Sequence, residues 1–237
     1  MHELICGTGN VLLYFLVLAS SALLIRRCTK VPDEPFRKFL HCILLGSLLV
    51  WTMSFHTWQL AALSVFLFVV VVYPALAWAE HLPGFSHLLT ERKKGELKNS
   101  LVLVFTMFLA VLVVCWGWLD DKYLALASVY AWGFGDAAAA LVGKRFGRHH
   151  LTGKHIEGRK SVEGTLAMFV VSCLSVALVL TLRGGLTWPT CLVISVITGA
   201  VSAVVELFSL NGRDTFYCPL AAMAVLLPLL HILGGGV

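Results

Sequence analysis

WQLAALSVFLFVVVVYPALAWA, residues 58–79, contains no Lys, Arg, Asp or Glu from end to end. As a helix it would be roughly 33 Å long at 1.5 Å per residue, enough to cross the hydrocarbon core of a bilayer. A spanning segment must be helical, because lipid offers no partner for a free backbone amide. Working outward from this run, similar apolar stretches recur at 5–25, 39–55, 99–119, 123–143, 165–182, 188–208 and 216–233, about eight in all. The run at 39–55 is short enough to tilt little or to be re-entrant, and the run at 123–143 is polar in its middle. The 237-residue chain is 59% hydrophobic and 13% charged, with a mean hydropathy of +0.87. A soluble domain of this length cannot hide that much apolar surface. The expected fold is therefore all-α: one polytopic transmembrane domain over residues 1–237, with about eight transmembrane helices. No internal repeat and no low-complexity tract interrupts it.

The basic residues set the orientation. Of 18 Lys and Arg, only Lys122 and Arg183 fall in even-numbered loops; the rest fall in odd-numbered ones. The positive-inside rule then places the odd loops in the cytoplasm and both termini on the non-cytoplasmic side. No basic stretch precedes the first apolar run and no A-x-A cleavage site is evident, so that run reads as a retained span. The seven cysteines form no C-x-x-C pair, and most lie in apolar runs. They read as small core residues, neither zinc ligands nor a disulfide framework. The net charge of +5 reports topology, and it also suits anionic lipid or substrate.

Polar residues that hydropathy does not require gather on the expected cytoplasmic side, most densely in WGFGDAAAALVGKRFGRHHLTGKHIEGRKSVEGTLAMF, residues 132–169. Asp136 lies within a span among glycines and alanines, which admit close approach. An intramembrane carboxylate needs a cation or a metal, and either a neighbouring Arg or Lys or a functional site would supply it. Lys144 and Arg145, between Gly143 and Gly147, suit phosphate oxygens, and they serve equally as topology-setting charge. Ser161, preceded by Arg159 and Lys160 and followed by Glu163 and Gly164, opens the next apolar run. A Ser before free helix amides is a natural anion site. Glu163 reads either as a metal ligand or as a helix cap.

Residues 153–161 imitate a P-loop but lack its G-K-[ST] spacing and preceding strand. His149, His150 and His155 match no zinc spacing and read as solvated loop residues. Three flanking clusters add to the set: Arg37-Lys38-Phe39-Leu40-His41, with Arg37 and His41 one helical turn apart; Arg92-Lys93-Lys94-Gly95-Glu96; and Asn211-Gly212-Arg213-Asp214-Thr215, with Glu206 at the end of the preceding run. Four acids, Asp136, Glu163, Glu206 and Asp214, thus share one membrane face with many cations. That composition suits a nucleotide triphosphate with Mg2+, carboxylates holding the metal and Lys and Arg the phosphates.

GDAAAALVGKRFG from Gly135 and KSVEGTLAMF from Lys160 together resemble the polyprenol kinase superfamily, which includes dolichol, phytol and farnesol kinases and a CTP-dependent diacylglycerol kinase. RKFLH at 37–41, RKKGEL at 92–97 and DTFYCPL at 214–220 extend the resemblance over about 37–220. Thr215 stands where the family usually has Asn. The resemblance implies transfer of a γ-phosphoryl group, often from CTP as co-substrate, to the hydroxyl of a membrane lipid such as a polyprenol, diacylglycerol or phytol. On that basis Asp136 and Asp214 are the expected catalytic acids, with Glu163 and Glu206 beside them as Mg2+ ligands. Gly143, Lys144, Arg145, Arg159, Lys160, Ser161, Glu163 and Gly164 are expected at the nucleotide. Arg37, Lys38, His41, Lys94 and Glu96 are expected on the lipid and phosphate side. The site is expected at the cytoplasmic face, with no nucleic-acid partner.

Phosphatidate cytidylyltransferases share the G-x-x-x-G and K-[ST]-x-E-G features but carry a glycine-rich H-G-G-x-x-D-R-x-D segment that this chain lacks. A lipid or anion transporter is the non-enzymatic alternative, disfavoured by the missing repeat and by polar residues gathered at one face.

Overall fold

The computed structural model describes residues 1–81, 95–153, 156, 160–209 and 213–234, apart from the side chains of Glu96 and Leu97. Among the described residues there is no β-strand, and eight helices are long and apolar enough to cross a membrane. They are α1 (His2–Cys28), α2 (Asp33–Ser54), α3 (Trp58–Ala79), α4 (Glu96–Val111, continued by a π-helical segment Leu112–Trp118), α5 (Lys122–Phe146), α6 (Val162–Arg183), α7 (Trp188–Phe208) and α8 (Asp214–Leu233). This is compatible with an integral membrane protein, and the runs expected from the sequence each fall on one of these helices. The short second run is where the structure corrects the sequence reading. Helix α2 covers 22 residues and begins at Asp33. Its first turn is polar, carrying Asp33, Glu34 and Pro35, so hydropathy misses it. Acids and proline nonetheless belong in a first turn, near the positive end of the helix dipole and where no amide donor is needed.

The helices form two compact units, 1–119 and 120–237. Lipid tails are as apolar as the side chains, so helices in such a unit are held by close packing and by polar links across them. In the first unit, Phe15 of α1, Trp51 of α2, Phe68 of α3 and Phe105 of α4 meet with ring centroids 4.9–6.4 Å apart. Trp51 Nε1 donates to Ser64 Oγ at 3.2 Å, and Ser64 shares a 3.0 Å hydrogen bond with Thr8. Glu3 of α1 closes the start of α3, its Oε1 accepting from the His56 and Thr57 amides at 2.7 and 3.1 Å.

In the second unit α5 is central, packing on α6, α7 and α8, and it is the most buried of the eight. Its composition allows this: Ala125, Ala127, Ala131, Gly133, Gly135 and Ala137 are all buried. Gly135, Ala139 and Gly143 recur one turn apart and face Ser172, Met168 and Gly164 of α6. A Cβ added to Gly164 would lie 3.0 Å from the Ala139 carbonyl oxygen and 3.3 Å from Gly143 Cα. The small residues at 135, 139 and 143, spaced four apart, therefore serve helix contact. At one end of this unit, Asp121 caps α5 by accepting from the Tyr123 and Leu124 amides at 3.0 and 3.1 Å, and it pairs with Arg183 at 2.7 Å, at the end of α6.

Candidate active site

The other end of the second unit gathers the end of α5, the start of α6, the end of α7 and the start of α8. Three acids come from three of these helices. Glu206 lies in the last turn of α7, and the charges near enough to act on its carboxylate are Lys160, Asp136 and Asp214. Asp214, in the first turn of α8, accepts from Trp132 Nε1 at 3.3 Å, and Trp132 stands one turn from Asp136 on α5. Because Trp132 lies well before the end of α5, the acids are recessed from the last turn of that helix, where Lys144 and Arg145 are exposed. The Cys218 thiol, one turn on from Asp214 and buried, faces the same charges.

Each acid sits at a helix position that accounts for it. Asp214 is at a helix start, where negative charge is favoured. Glu206 is at a helix end, where it is disfavoured, and there it meets Lys160 at 3.2 Å. Asp136 is half-buried in the middle of the small-residue stretch of α5, but on a different face from the glycines that touch α6.

The K-S-V-E segment is a junction. Lys160 Nζ donates to the Glu206 carbonyl, to the Leu207 carbonyl at 3.2 Å and to the Ser209 carbonyl at 3.1 Å. Ser161 caps α6, its Oγ accepting from the Gly164 amide at 3.1 Å, and the Val162 amide donates to the His149 carbonyl at 3.0 Å. The anion site expected at this helix start thus has its first amides occupied within the chain. Glu163 accepts from His149, with its Oε1 2.7 Å from Nδ1, and so ties the segment after α5 to the first turn of α6. Lys160 also receives the Leu151 amide on its carbonyl at 2.9 Å, which completes a two-residue antiparallel link.

Set against the sequence expectations, Asp136, Asp214, Glu206 and Lys160 come together. Glu163 turns instead to His149, Ser161 acts as a cap, and Gly143 and Gly164 are points of helix contact. Lys144 and Arg145 end α5, Arg145 lying over the Phe146 ring at 5.3 Å. Arg159 and Lys94 lie outside the described residues, as does the Glu96 side chain. Arg37, Lys38 and His41 belong to the first unit. There Arg37 pairs with Glu34, Lys38 is buried and His41 is half-buried. Sequence reasoning missed Trp132 and Cys218, although the spacings 132/136 and 214/218, one helical turn each, carried the signal.

Among the described residues no three His, Cys, Asp or Glu side chains converge tightly enough to hold a metal ion unaided. The donor set nonetheless fits Mg2+. That ion takes hard oxygen ligands and commonly one or two carboxylates, with substrate phosphates and water completing its shell.

Fold and site together define a class: a polytopic helical protein, compatible with residence in a membrane, with a recessed cluster of carboxylates and a lysine at one end of its C-terminal unit. Over nearly its whole length the chain is similar to a phytol kinase of Synechocystis sp. (strain ATCC 27184 / PCC 6803 / Kazusa), 29% identical over 227 residues covering 92% of this chain and 89% of that protein. No protein-family model and no solved structure matches it.

Proposed function

We propose that the protein is a membrane lipid kinase that transfers the γ-phosphoryl group of a nucleotide triphosphate, CTP, to the hydroxyl of a membrane-embedded isoprenoid or lipid alcohol. The observation that carries this reading is the cluster of Asp136 and Asp214 near Glu206, three acids from three helices, with Lys160 paired to Glu206. Similarity to a phytol kinase over 92% of the chain supports it. Phosphoryl transfer needs little covalent chemistry from a protein. It needs positioning and compensation of the charge on phosphate oxygens. Lys144, Arg145 and Arg159 supply cations for the triphosphate. Asp214 and Glu206 would hold Mg2+, which supplies charge compensation at the phosphates when bound. Asp136, from the middle of α5, orients the acceptor hydroxyl and takes its proton as the oxygen attacks. The acceptor enters laterally between helices and presents its hydroxyl near the cytoplasmic interface.

The test uses purified protein in detergent with Mg2+, total lipid extract and, separately, γ-labelled CTP, α-labelled CTP and γ-labelled ATP. Label passing from γ-CTP to the lipid fraction is the expected result, and the labelled species names the acceptor. Label from α-CTP alone would make the protein a cytidylyltransferase. Transfer from ATP alone would keep the kinase and replace the donor. No transfer from any of the three would overturn the enzymatic reading in favour of transport.

A further inference from the structure

A helix ends with carbonyls that have no donor within the helix, and its dipole makes that end negative. Many helices close this end with a glycine in the left-handed conformation. Helix α7 does not: it runs into Ser209 at φ −78° and ψ 132°. The Ser209 amide donates back to the Glu206 carbonyl at 3.1 Å, and a second donor comes from 46 residues earlier in the chain, where Lys160 Nζ reaches the same carbonyl. The same ammonium reaches the Leu207 and Ser209 carbonyls at 3.2 and 3.1 Å and the Glu206 carboxylate at 3.2 Å. An ammonium has three N–H donors, so these four acceptors use all of them, and the side chain is only 14% exposed.

The backbone of Lys160 is anchored as well. Its carbonyl accepts from the Leu151 amide at 2.9 Å, and the next residue, Ser161, caps α6. Lys160 therefore joins the start of α6 to the end of α7, and it does so at the residue that carries one of the three clustered acids. A phosphate oxygen could recruit this ammonium only by displacing the Leu207 and Ser209 carbonyls and the Glu206 carboxylate that it now holds, each a contact that costs free energy to give up.

We infer that Lys160 is a positioning residue: it fixes the last turn of α7, and with it the Glu206 carboxylate opposite Asp136 and Asp214, and does not itself hold substrate phosphate. The inference rests on the phosphoryl-transfer reading of the cluster. It distinguishes Lys160 from Lys144 and Arg145, which are exposed at the end of α5.

The test compares full-length wild type with Lys160→Met, Lys160→Arg, Glu206→Gln and the double variant Lys160→Met/Glu206→Gln. Two readouts are taken: steady-state kinetics with CTP, and hydrogen exchange of peptides covering the end of α7. Lys160→Met should lower kcat by about tenfold or more while moving the KM for CTP by less than about threefold, the signature of lost transition-state organisation with ground-state binding retained. The double variant should be about as slow as Glu206→Gln alone, because the two side chains act as one unit. Lys160→Arg should recover part of the rate, since a guanidinium also donates to carbonyls. Exchange at the end of α7 should rise in Lys160→Met.

A KM for CTP raised about tenfold with kcat unchanged, and with unaltered exchange, would make Lys160 a phosphate ligand and overturn the inference. Loss of thermal stability with normal kcat per folded molecule would overturn it as well, leaving Lys160 a purely structural link. If wild-type protein transfers no phosphoryl group, the functional reading fails separately. The exchange comparison still decides whether Lys160 holds the end of α7, and unchanged exchange overturns the clamp in either case.

Discussion

Asp136 is flanked on both sides by residues that make a carboxylate costly. Its neighbours on α5 are glycines, alanines and buried aromatic rings, and it is half-buried itself. An ionisable side chain in such a place marks a functional-site candidate. Asparagine has the same shape and cannot act as a base, so Asp136→Asn should cut turnover by about 10²-fold or more while leaving the melting temperature in detergent near that of wild type. Wild-type turnover in this variant would remove Asp136 from the chemistry. This residue was legible from the sequence, because an acid inside an apolar run stands out without any structure. Lys160 was not. Composition marks it as one more cation near phosphate-binding candidates, and nothing local tells that its ammonium crosses to the carbonyls of residues 206, 207 and 209. Glu163 shows the same limit: the sequence leaves metal ligand and helix cap both open, and the structure gives it a third role, holding His149 at 2.7 Å.

At the scale of elements, apolar run length fixed the helices well, since the bilayer imposes one length on all of them. It failed at polar ends, as the first turn of α2 shows. The contact between α5 and α6 makes a sharper point. Glycines such as Gly143 and Gly164 suit a phosphate cradle and a helix crossing alike, and only packing separates the two. Gly164 lies against backbone, with the Ala139 carbonyl oxygen 3.0 Å from any added Cβ. Backbone cannot swing aside as the tip of a side chain can. Gly164→Val should therefore force α5 and α6 apart and cost about 1–3 kcal/mol, read as a lowered melting temperature in detergent. Gly9→Ala is the matched control. Gly9 is in the interior of α1, with nothing within 4 Å of an added Cβ, so the change should be neutral or raise stability by up to about 1 kcal/mol. Equal melting temperatures for Gly164→Val and wild type would refute the tight crossing.

For the whole molecule, charge asymmetry is the argument that reaches furthest, because it ties every loop to one of two sides. With only Lys122 and Arg183 of 18 basic residues in even-numbered loops, the rule that basic loops stay in the cytoplasm places the start of α1 outside and its end inside. The structure gives two convenient reporters at those ends. His2 opens α1, and Cys28 closes it, exposed and followed by the extended Thr29. In a background with the other cysteines replaced by serine or alanine, two proteins suffice: one retaining Cys28, the other carrying His2→Cys with Cys28 also replaced. A membrane-impermeant maleimide added to intact cells should label the His2→Cys protein directly and the Cys28 protein only after permeabilisation. The same orientation puts the end of α5, with Lys144 and Arg145, on the side where nucleotide triphosphates are made and kept. The opposite labelling pattern would put the cluster of Asp136, Glu206 and Asp214 away from its nucleotide, and would count against phosphoryl transfer as strongly as a silent assay.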